Sequence, residues 1–336
     1  MKKYILLLLL PLFASCEKIM MDDNPADNPQ ENFDILWNTI NEKYSFLGLK
    51  NINWDSIRNH YEPMVTDDIS NTDLFTIMDS MLYDLEDGHV NLVSPFNLSR
   101  NWNWYLGFPD NFDYEVLERN YLKDDYRIAG GLKYTIIDSI GYIYYESFSS
   151  GFSVENLNAA INYMKGTKGL IFDVRNNGGG VLNNAFILAQ SLIDSEKQVL
   201  ITSEKMGPGR DDFGNSLSYT LRPATSYAHY DGEVAVLINR RCYSATNTFA
   251  AILYPFDNIT LIGDQTGGGG GIPVDSELPN GWTYRFSATR SLIPIDANSY
   301  YDIEMGIPPD VVAHNTEARM AEGKDDILET ALRVLE

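Results

Sequence analysis

Apolar residues recur at helical spacing near the start of the chain, directly after a polar segment. Within NFDILWNTINEKYSFLGL, residues 32–49, one helical stripe carries the side chains of Phe33, Leu36, Trp37, Ile40 and Tyr44. Similar patterns predict a helix over residues 54–61 and another over residues 72–85, the latter with Asn71 or Thr72 as its cap. These patterns predict a small helical subdomain over residues 32–95, ahead of the main core.

The hydrophobic pattern changes at residue 133, where short apolar runs begin to alternate with helical segments. We predict a hairpin in YTIIDSIGYIYYESF, a helix in SVENLNAAINYMKG, and buried strands in GLIFDVR and EVAVLIN. This alternation predicts an α/β fold with a mostly parallel, helix-covered sheet, in which ligands gather beyond the carboxyl ends of the strands. Asp173 and Arg175, at one such end, are expected to form an internal ion pair. The core is predicted over residues 133–336, joined to the helical subdomain by residues 96–132.

The amino terminus has the pattern of an export signal. Residues 1–15, MKKYILLLLLPLFAS, carry two lysines and an apolar run that ends in small residues and is too short to span a membrane comfortably. The sequence FASC resembles the lipobox of bacterial lipoproteins, which implies lipidation of Cys16; a plain secretory signal with a chance cysteine is the alternative. Residues 16–31 are rich in acids, Asn and Pro, as expected of a disordered tether. We therefore expect an exported lipoprotein of the cell envelope, facing the periplasm or displayed on the outer surface.

The composition is that of a globular protein with a strongly acidic surface. Of the 336 residues, 44% are hydrophobic and 21% are charged, and the formal net charge is -22. Removal of residues 1–15 takes away Lys2 and Lys3 but no acid, so the mature chain is more acidic still. Such a surface repels nucleic acid, which excludes a nucleic-acid partner. The chain has two cysteines, and lipidation of Cys16 would leave Cys242 without an intramolecular partner. A packed core must therefore stabilise the fold without disulfides.

Ser244 follows the apolar run EVAVLIN and opens a helical pattern, so it is either a helix cap or a nucleophile. A serine at this position usually accepts hydrogen bonds from the first helical turn. Its hydroxyl would also lie at the positive end of the helix dipole, where the N–H of Ala245 points the same way. The NNGGG turn, residues 176–180, could present further N–H donors to an oxyanion, although a tight strand-to-helix turn is the simpler interpretation of three glycines.

A nucleophilic serine needs a base, and the chain offers four histidines. No lysine occurs between Lys205 and Lys324, so a nearby lysine base is lacking in the sequence. His89, in LEDGHV, directly follows a predicted helix and has Gly88 before it, a context that allows access. The remaining histidines lie in a helical pattern or in polar loops: His60, His229 and His314. An isolated histidine taken alone would be assigned a structural role.

Several motifs together resemble the tail-specific, or C-terminal processing, serine peptidases. EDGHV resembles that family's histidine motif, KGLIFDVRNNGGG its strand and oxyanion loop, and YSATNTFAAIL its nucleophile turn. The entry segment FDILWNTINEKYSFL and the closing segments LIGDQTGGGGG and GIPPD also match, in family order from residue 33 to residue 311. The resemblance is to the branch of the tricorn protease core and the interphotoreceptor retinoid-binding repeats. It implies a crotonase/ClpP-like core of ββα type.

The resemblance also implies roles for individual residues. Ser244 matches the nucleophile and His89 the general base, while the N–H groups of Gly179 and Ala245 match the oxyanion donors. In the Ser-Lys branch the base lies 25 positions after the nucleophile, and here that position is Gly269, in agreement with a histidine base. The glycines of the two turns are candidates for the substrate cleft: Gly178, Gly180, Gly268 and Gly269. The resemblance implies no metal and no organic cofactor.

The chain departs from the family pattern at three points. Asn247 stands where the family often has an acid, and residues 96–132 are too few to form the PDZ domain that many members insert. The tricorn-like branch also has a glutamate just before its G-x-x-P-D motif, which starts here at Gly306. Glu304 is the nearest match but lies one residue too close, so Asp302 is an alternative third member of the triad. Either carboxylate could fix the tautomer of the histidine and stabilise its cation.

The leading hypothesis is a lipid-anchored serine peptidase that cleaves peptide or protein substrates through an acyl-enzyme. The second hypothesis is a catalytically inactive lipoprotein of the same fold that binds a ligand or peptide, and Asn247 favours it. The joint presence of the serine, the histidine and the glycine turn favours the peptidase. A third class, an acyl-CoA enzyme on the related crotonase architecture, is disfavoured because export separates the chain from cytoplasmic cofactors.

Overall fold

The computed structural model describes residues 25–102 and 106–336, so the predicted signal, Cys16 and residues 17–24 of the predicted tether lie outside the described residues. The helices are α1 (Pro29–Lys43), α2 (Trp54–Tyr61), α3 (Asn71–Tyr83), α4 (Tyr114–Val116), α5 (Val154–Tyr163), α6 (Leu182–Gln190), α7 (Ala245–Leu253), α8 (Glu317–Ala321) and α9 (Asp326–Leu335). The strands are β1 (Asn91–Val93), β2 (Arg127–Ala129), β3 (Leu132–Ile137), β4 (Ile140–Tyr145), β5 (Leu170–Asp173), β6 (Lys197–Glu204), β7 (Leu217–Leu221), β8 (Val234–Ile238), β9 (Ile259–Gly263), β10 (Pro273–Glu277), β11 (Thr283–Ser287), β12 (Thr289–Pro294), β13 (Tyr300–Asp302) and β14 (Val311–Val312). Within the described residues, every helix is too short or too polar to cross a membrane.

The first helix begins inside the segment that was predicted as a tether. Asn28 caps it, because its side chain accepts the N–H of Glu31, and Pro29 follows at the first helical position. Helices α1 and α2 are joined by two tryptophans whose indole N–H groups donate reciprocally, Trp37 to the carbonyl of Trp54 at 3.2 Å and Trp54 to that of Trp37 at 3.0 Å. Helices therefore occur at all three places where the helical pattern lies.

The helical segment shares its hydrophobic core with a distant part of the chain. Leu36 of α1 and Met78 of α3 lie in one buried cluster with Tyr284 and Phe286 of β11. Strand β1, which follows α3, pairs antiparallel with β11 in a three-stranded sheet of order β1-β11-β10. Residues 32–95 therefore do not form a core of their own, because they pack against the carboxyl-terminal half of the chain. This packing also positions the loop that precedes β1.

The main sheet has the strand order β14-β9-β8-β5-β4-β3-β2. Neighbouring strands from β4 to β14 are parallel, whereas β2, β3 and β4 pair antiparallel at one edge. Helices α5, α6 and α7 pack on one face, and α9 packs on the other. Strands β5 and β8 are consequently buried along their whole length, which explains their uninterrupted apolar sequences. The predicted α/β fold with a mostly parallel, helix-covered sheet is confirmed.

A third sheet, which the hydrophobic pattern did not predict, packs beside α7. It is antiparallel, with the order β13-β12-β6-β7. In β7 only the last residue is buried, so the strand shows no alternation of apolar and polar residues. Hydrogen bonding to β6, rather than burial of one face, is what makes this edge segment a strand.

Candidate active site

Ser244 lies in the turn between β8 and α7, with φ 57° and ψ -121°. A positive φ is strained for a residue with a side chain, so the surrounding structure must hold it. The N–H of Ser244 donates to the carbonyl of Gly268 at 3.0 Å, which fixes the turn from one side. The Ser244 side chain caps no helical N–H, and its Oγ lies instead 2.9 Å from Nε2 of His89. The turn presents the hydroxyl to the histidine rather than to the helix.

His89 reaches the serine from the loop after α3, across 155 residues of sequence. The residue is 8% exposed, and its ring lies beside that of Tyr243, with 5.1 Å between the ring centroids. Burial lowers the pKa of His89 below its ordinary value; Asp87 opposes this shift, while Arg285 and Lys50 add to it. The imidazole is therefore neutral at pH 7, the form that can accept a proton from a hydroxyl.

Neither of the two predicted carboxylates bonds to the imidazole. Glu304 accepts the N–H of Gly270 at 2.9 Å, and its other oxygen lies 3.0 Å from Nζ of Lys50. Asp302 pairs with Arg290 at 2.5 Å and accepts the N–H of Glu304 at 3.0 Å. Among the described residues, Nδ1 of the buried histidine has no hydrogen-bond partner. The predicted triad contact is therefore absent from this geometry, in which each carboxylate pairs with a cation instead.

Lys50, Asp87 and Glu304 form a buried charge cluster behind the histidine. Burial raises the pKa of Glu304 to about 7, an effect that Asp87 reinforces and Lys50 opposes. Burial would also raise the pKa of Asp87, but Lys50 and His89 outweigh it and hold that pKa below its ordinary value. Burial would lower the pKa of Lys50, but the two carboxylates outweigh it and raise that pKa. One ammonium therefore serves two carboxylates, and Asp87 is the one that stays ionised beside the histidine.

Sequence reasoning missed the part that Asp87, Tyr243 and Lys50 take in this site. The available signal for the first two was their position, because Asp87 lies two residues before His89 in EDGHV and Tyr243 directly precedes Ser244. No local pattern marks Lys50, which ends a stretch whose apolar residues indicate only a helix and its core. Its importance depends on where the helical segment packs.

The glycine turn that follows β5 is packed against the nucleophile turn. Asn177 ties the two together, since its Oδ1 accepts the N–H of Gly179 at 3.0 Å and the hydroxyl of Thr246 at 2.7 Å. The N–H of Gly179, a predicted oxyanion donor, therefore already has an acceptor in this structure. The N–H of Ala245, the other predicted donor, hydrogen-bonds to none of the described residues. Ala245 is the donor that the structure leaves available.

A cavity of about 510 Å³ opens at the serine and histidine. Gly178, Gly180 and Gly269, predicted for the cleft, line it, whereas Gly268 does not. One wall is apolar and is formed by helix α6 and the antiparallel sheet: Leu182, Phe186, Leu200 and Tyr219. Arg285 is the one lining residue with a fixed charge among those that the structure describes. Within residues 25–102 and 106–336, no group of three or more His, Cys, Asp or Glu could hold a metal ion.

Two family models match the chain. The model of Peptidase family S41 matches residues 139–313, more than half of the chain, and that of the Tricorn protease C1 domain matches residues 25–83. The carboxy-terminal processing protease CtpA of Bacillus subtilis (strain 168) is 30% identical over 178 residues, which are 52% of this chain and 35% of that relative. The match thus spans about a third of the length of the curated relatives.

Solved structures share the fold over most of the chain. A candidate peptidase from Parabacteroides merdae ATCC 43184 is 41% identical, with a TM-score of 0.85 over 92% of this chain and 97% of the other. Mature CPAF, solved with lactacystin, has a TM-score of 0.66 over 92% of this chain and 97% of its own at 11% identity, so it shows the fold alone. The resemblance to C-terminal processing and tricorn peptidases is confirmed by these matches. The chain belongs to peptidase family S41.

Proposed function

We propose that this chain is a serine peptidase that cleaves peptide bonds through an acyl-enzyme formed on Ser244. The observation that carries the proposal is the 2.9 Å distance between its Oγ and Nε2 of His89, at a cavity that can admit a substrate. The strained backbone of the serine supports the proposal, since strain of this kind is retained where function requires it. Membership of peptidase family S41 supports the same class of reaction.

In the proposed reaction, His89 accepts the hydroxyl proton of Ser244 as the serine oxygen attacks the substrate carbonyl carbon. The N–H of Ala245, at the positive end of the α7 dipole, stabilises the negative charge that develops on the carbonyl oxygen. Gly179 adds a second N–H when it exchanges the side chain of Asn177 for the substrate oxygen. His89 then protonates the departing amine, and water activated by the same imidazole hydrolyses the ester.

Glu304 has an indirect part in this proposal. Its carboxylate holds the N–H of Gly270, which lies in the glycine run on one side of the cavity, and its second oxygen pairs with Lys50. The negative charge that favours the imidazolium comes from Asp87, which raises the pKa of His89. The proposed catalytic site is thus a serine–histidine pair beside a buried carboxylate, rather than a hydrogen-bonded triad.

We propose peptide or protein substrates that place an apolar side chain against the wall containing Phe186 and Leu200. Contact with an apolar wall removes apolar surface from water and thereby favours such substrates. The proposed location is the cell envelope, with export directed by residues 1–15 and a lipid anchor at Cys16; both follow from the sequence pattern. The acidic mature chain has no proposed nucleic-acid partner.

The alternative of an inactive binding lipoprotein was suggested by Asn247 in place of an acid. This side chain is fully buried and donates to the carbonyl of Ile303 at 2.9 Å, while its oxygen accepts the hydroxyl of Thr266 at 2.6 Å. It thereby ties α7 to two segments, one that leads into the glycine run 267–271 and one that contains Glu304. This structural role is compatible with an active site, so Asn247 no longer favours the inactive alternative.

Covalent labelling by a fluorophosphonate tests the proposal. We expect the wild-type protein to be labelled on Ser244, as located by peptide mass spectrometry, and Ser244→Ala to remain unlabelled. His89→Ala should be labelled far more slowly, because the hydroxyl then lacks its base. A wild-type protein that is folded, unlabelled and inactive on peptides would support the binding lipoprotein instead.

Replacement of Gly179 by alanine is expected to reduce turnover on the order of a hundredfold. The residue has φ 103°, and an added Cβ would lie 2.8 Å from Cβ of Ser244, so the nucleophile turn would have to move. Steady-state kinetics on a peptide substrate measures the loss. Gly151→Ala is the control, because a Cβ there meets no atom within 4 Å and turnover should be unchanged. Wild-type turnover in Gly179→Ala would contradict the importance of this packing.

A further inference from the structure

We propose that Asp87 and Tyr243 are positioning residues, which together form a buried clamp that holds the His89 loop against the Ser244 turn. This inference rests on the proposed function, since it concerns how the serine–histidine pair is kept in register. The two residues belong to the two distant segments that supply the pair, one on each side of the contact. Neither side chain takes a chemical step in the proposed reaction.

Asp87 is the centre of the clamp. It is 1% exposed, and its Oδ1 accepts two hydrogen bonds, from the N–H of His89 at 2.8 Å and from the hydroxyl of Tyr243 at 3.1 Å. Its Oδ2 accepts the hydroxyl of Ser287 on β11 at 2.9 Å. Both oxygens are engaged, so the carboxylate cannot rotate without breaking a buried hydrogen bond. The histidine backbone is thereby fixed to the strand on which the helical segment docks.

Tyr243 closes the clamp from the side of the nucleophile. Its hydroxyl accepts the N–H of Gly88 at 2.9 Å while donating to Asp87, so one oxygen atom bonds to two successive residues of the histidine loop. The residue is 3% exposed and directly precedes Ser244 in the chain. Any movement of the histidine loop relative to the serine must therefore break hydrogen bonds to Tyr243 or carry the serine along.

The clamp also carries a charge, and four groups on four different segments face His89. Asp87 lies on the histidine loop, Lys50 on the segment after α1, Arg285 on β11 and Tyr243 on the turn before α7. The negative charge of Asp87 raises the pKa of His89, while the two cations lower it. Activity requires the neutral imidazole, so the acid limb of the pH profile follows that pKa.

Asp87→Asn removes the negative charge but can keep the hydrogen bonds of the clamp, because an amide oxygen can still accept from the N–H of His89 and from the hydroxyl of Tyr243. Removal of the anion takes away the interaction that raises the pKa of His89 and leaves the lowering effects of burial, Arg285 and Lys50 unopposed by Asp87. The acid limb of kcat/KM should therefore move to lower pH. A loss of fold integrity alone would lower the rate at every pH without this directed shift.

Tyr243→Phe removes the hydroxyl and keeps the ring, so it breaks the clamp without changing any charge. We expect kcat to fall about 10- to 100-fold, with KM nearly unchanged and the acid limb where it is in the wild type. Tyr284→Phe is the matched control, since that residue is 2% exposed and its hydroxyl bonds to Thr39 rather than to the histidine loop. The control should retain wild-type kcat and the wild-type pH profile.

Wild-type kcat in Tyr243→Phe, or an acid limb that stays in place or moves to higher pH in folded Asp87→Asn, would overturn the inference. If Asp87→Asn does not fold, as judged by circular dichroism, kcat and the pH profile of Tyr243→Phe decide alone. Fluorophosphonate labelling of the wild type distinguishes failure of the proposed function from failure of the clamp. If Ser244 of the wild type is not labelled, the proposed function is wrong. If it is labelled normally but the clamp variants keep the wild-type kcat and pH profile, only the clamp is wrong.

Discussion

Turnover of a peptide substrate should fall on the order of 10⁶-fold when Ser244 is replaced by alanine, and by a similar factor when His89 is replaced. The two side chains share one proton across 2.9 Å, so loss of either removes the attacking oxygen or its base. The double variant should be no slower than the slower single variant, because groups that act as a unit are not additive. Steady-state kinetics of the wild type and the three variants measures this.

Ser153→Ala is the matched control for the serine, because Ser153 also stands at the start of a helix. Its side chain accepts the N–H of Asn156 in a capping box, so its loss should cost about 1 kcal/mol of stability and leave turnover intact. Ser244 caps nothing, so Ser244→Ala should change turnover without loss of a cap. Substantial turnover in Ser244→Ala would rule out this serine as the nucleophile.

The largest expected effect on stability is that of Arg175→Met, at about 3–5 kcal/mol. The guanidinium is fully buried and pairs with Asp173 at 2.6 Å and with Asp325 at 2.8 Å. Methionine fills similar space but leaves two carboxylates without their cation, and a buried charge without a partner is far costlier than an exposed one. Urea unfolding at pH 7 measures the free energy of unfolding. The predicted ion pair between Asp173 and Arg175 is present, and Asp325, the N-cap of α9, adds a second carboxylate to it.

The loss of stability in Arg175→Met should depend on pH in a defined direction. Burial would raise the pKa of Asp325, but Arg175 outweighs it and holds that pKa below its ordinary value. The stabilisation is therefore present above the ordinary pKa of an aspartate and is lost as the pH falls through the lowered pKa. The difference in stability between wild type and Arg175→Met should narrow on acidification. Arg222→Met, which breaks an exposed pair with Glu196, should destabilise the protein far less than Arg175→Met, and an equal loss of stability in both variants would contradict the prediction.

The sequence by itself determined the α/β fold and most of the atoms at the proposed reaction centre. Periodicity sufficed for β5, β8 and the helices that follow them, because a strand buried on both faces has an uninterrupted apolar sequence. Parallel strands end at one edge of a sheet, so the glycine turn and Ser244 could be expected to meet there. His89 entered through the resemblance of its motif, since nothing in its own neighbourhood indicates a partner 155 residues away.

Only the tertiary structure decided which charges surround the histidine. Lys50 follows the helix α1 that packs on β11, and Glu304 pairs with this lysine rather than with the imidazole that the motif implies as its partner. Asp87, by contrast, is close to His89 because it lies two residues before it, and it is the buried carboxylate whose charge raises the pKa of His89. Periodicity tells which face of a helix or strand is buried, but not which distant face covers it, and charge partners in the interior depend on that second choice.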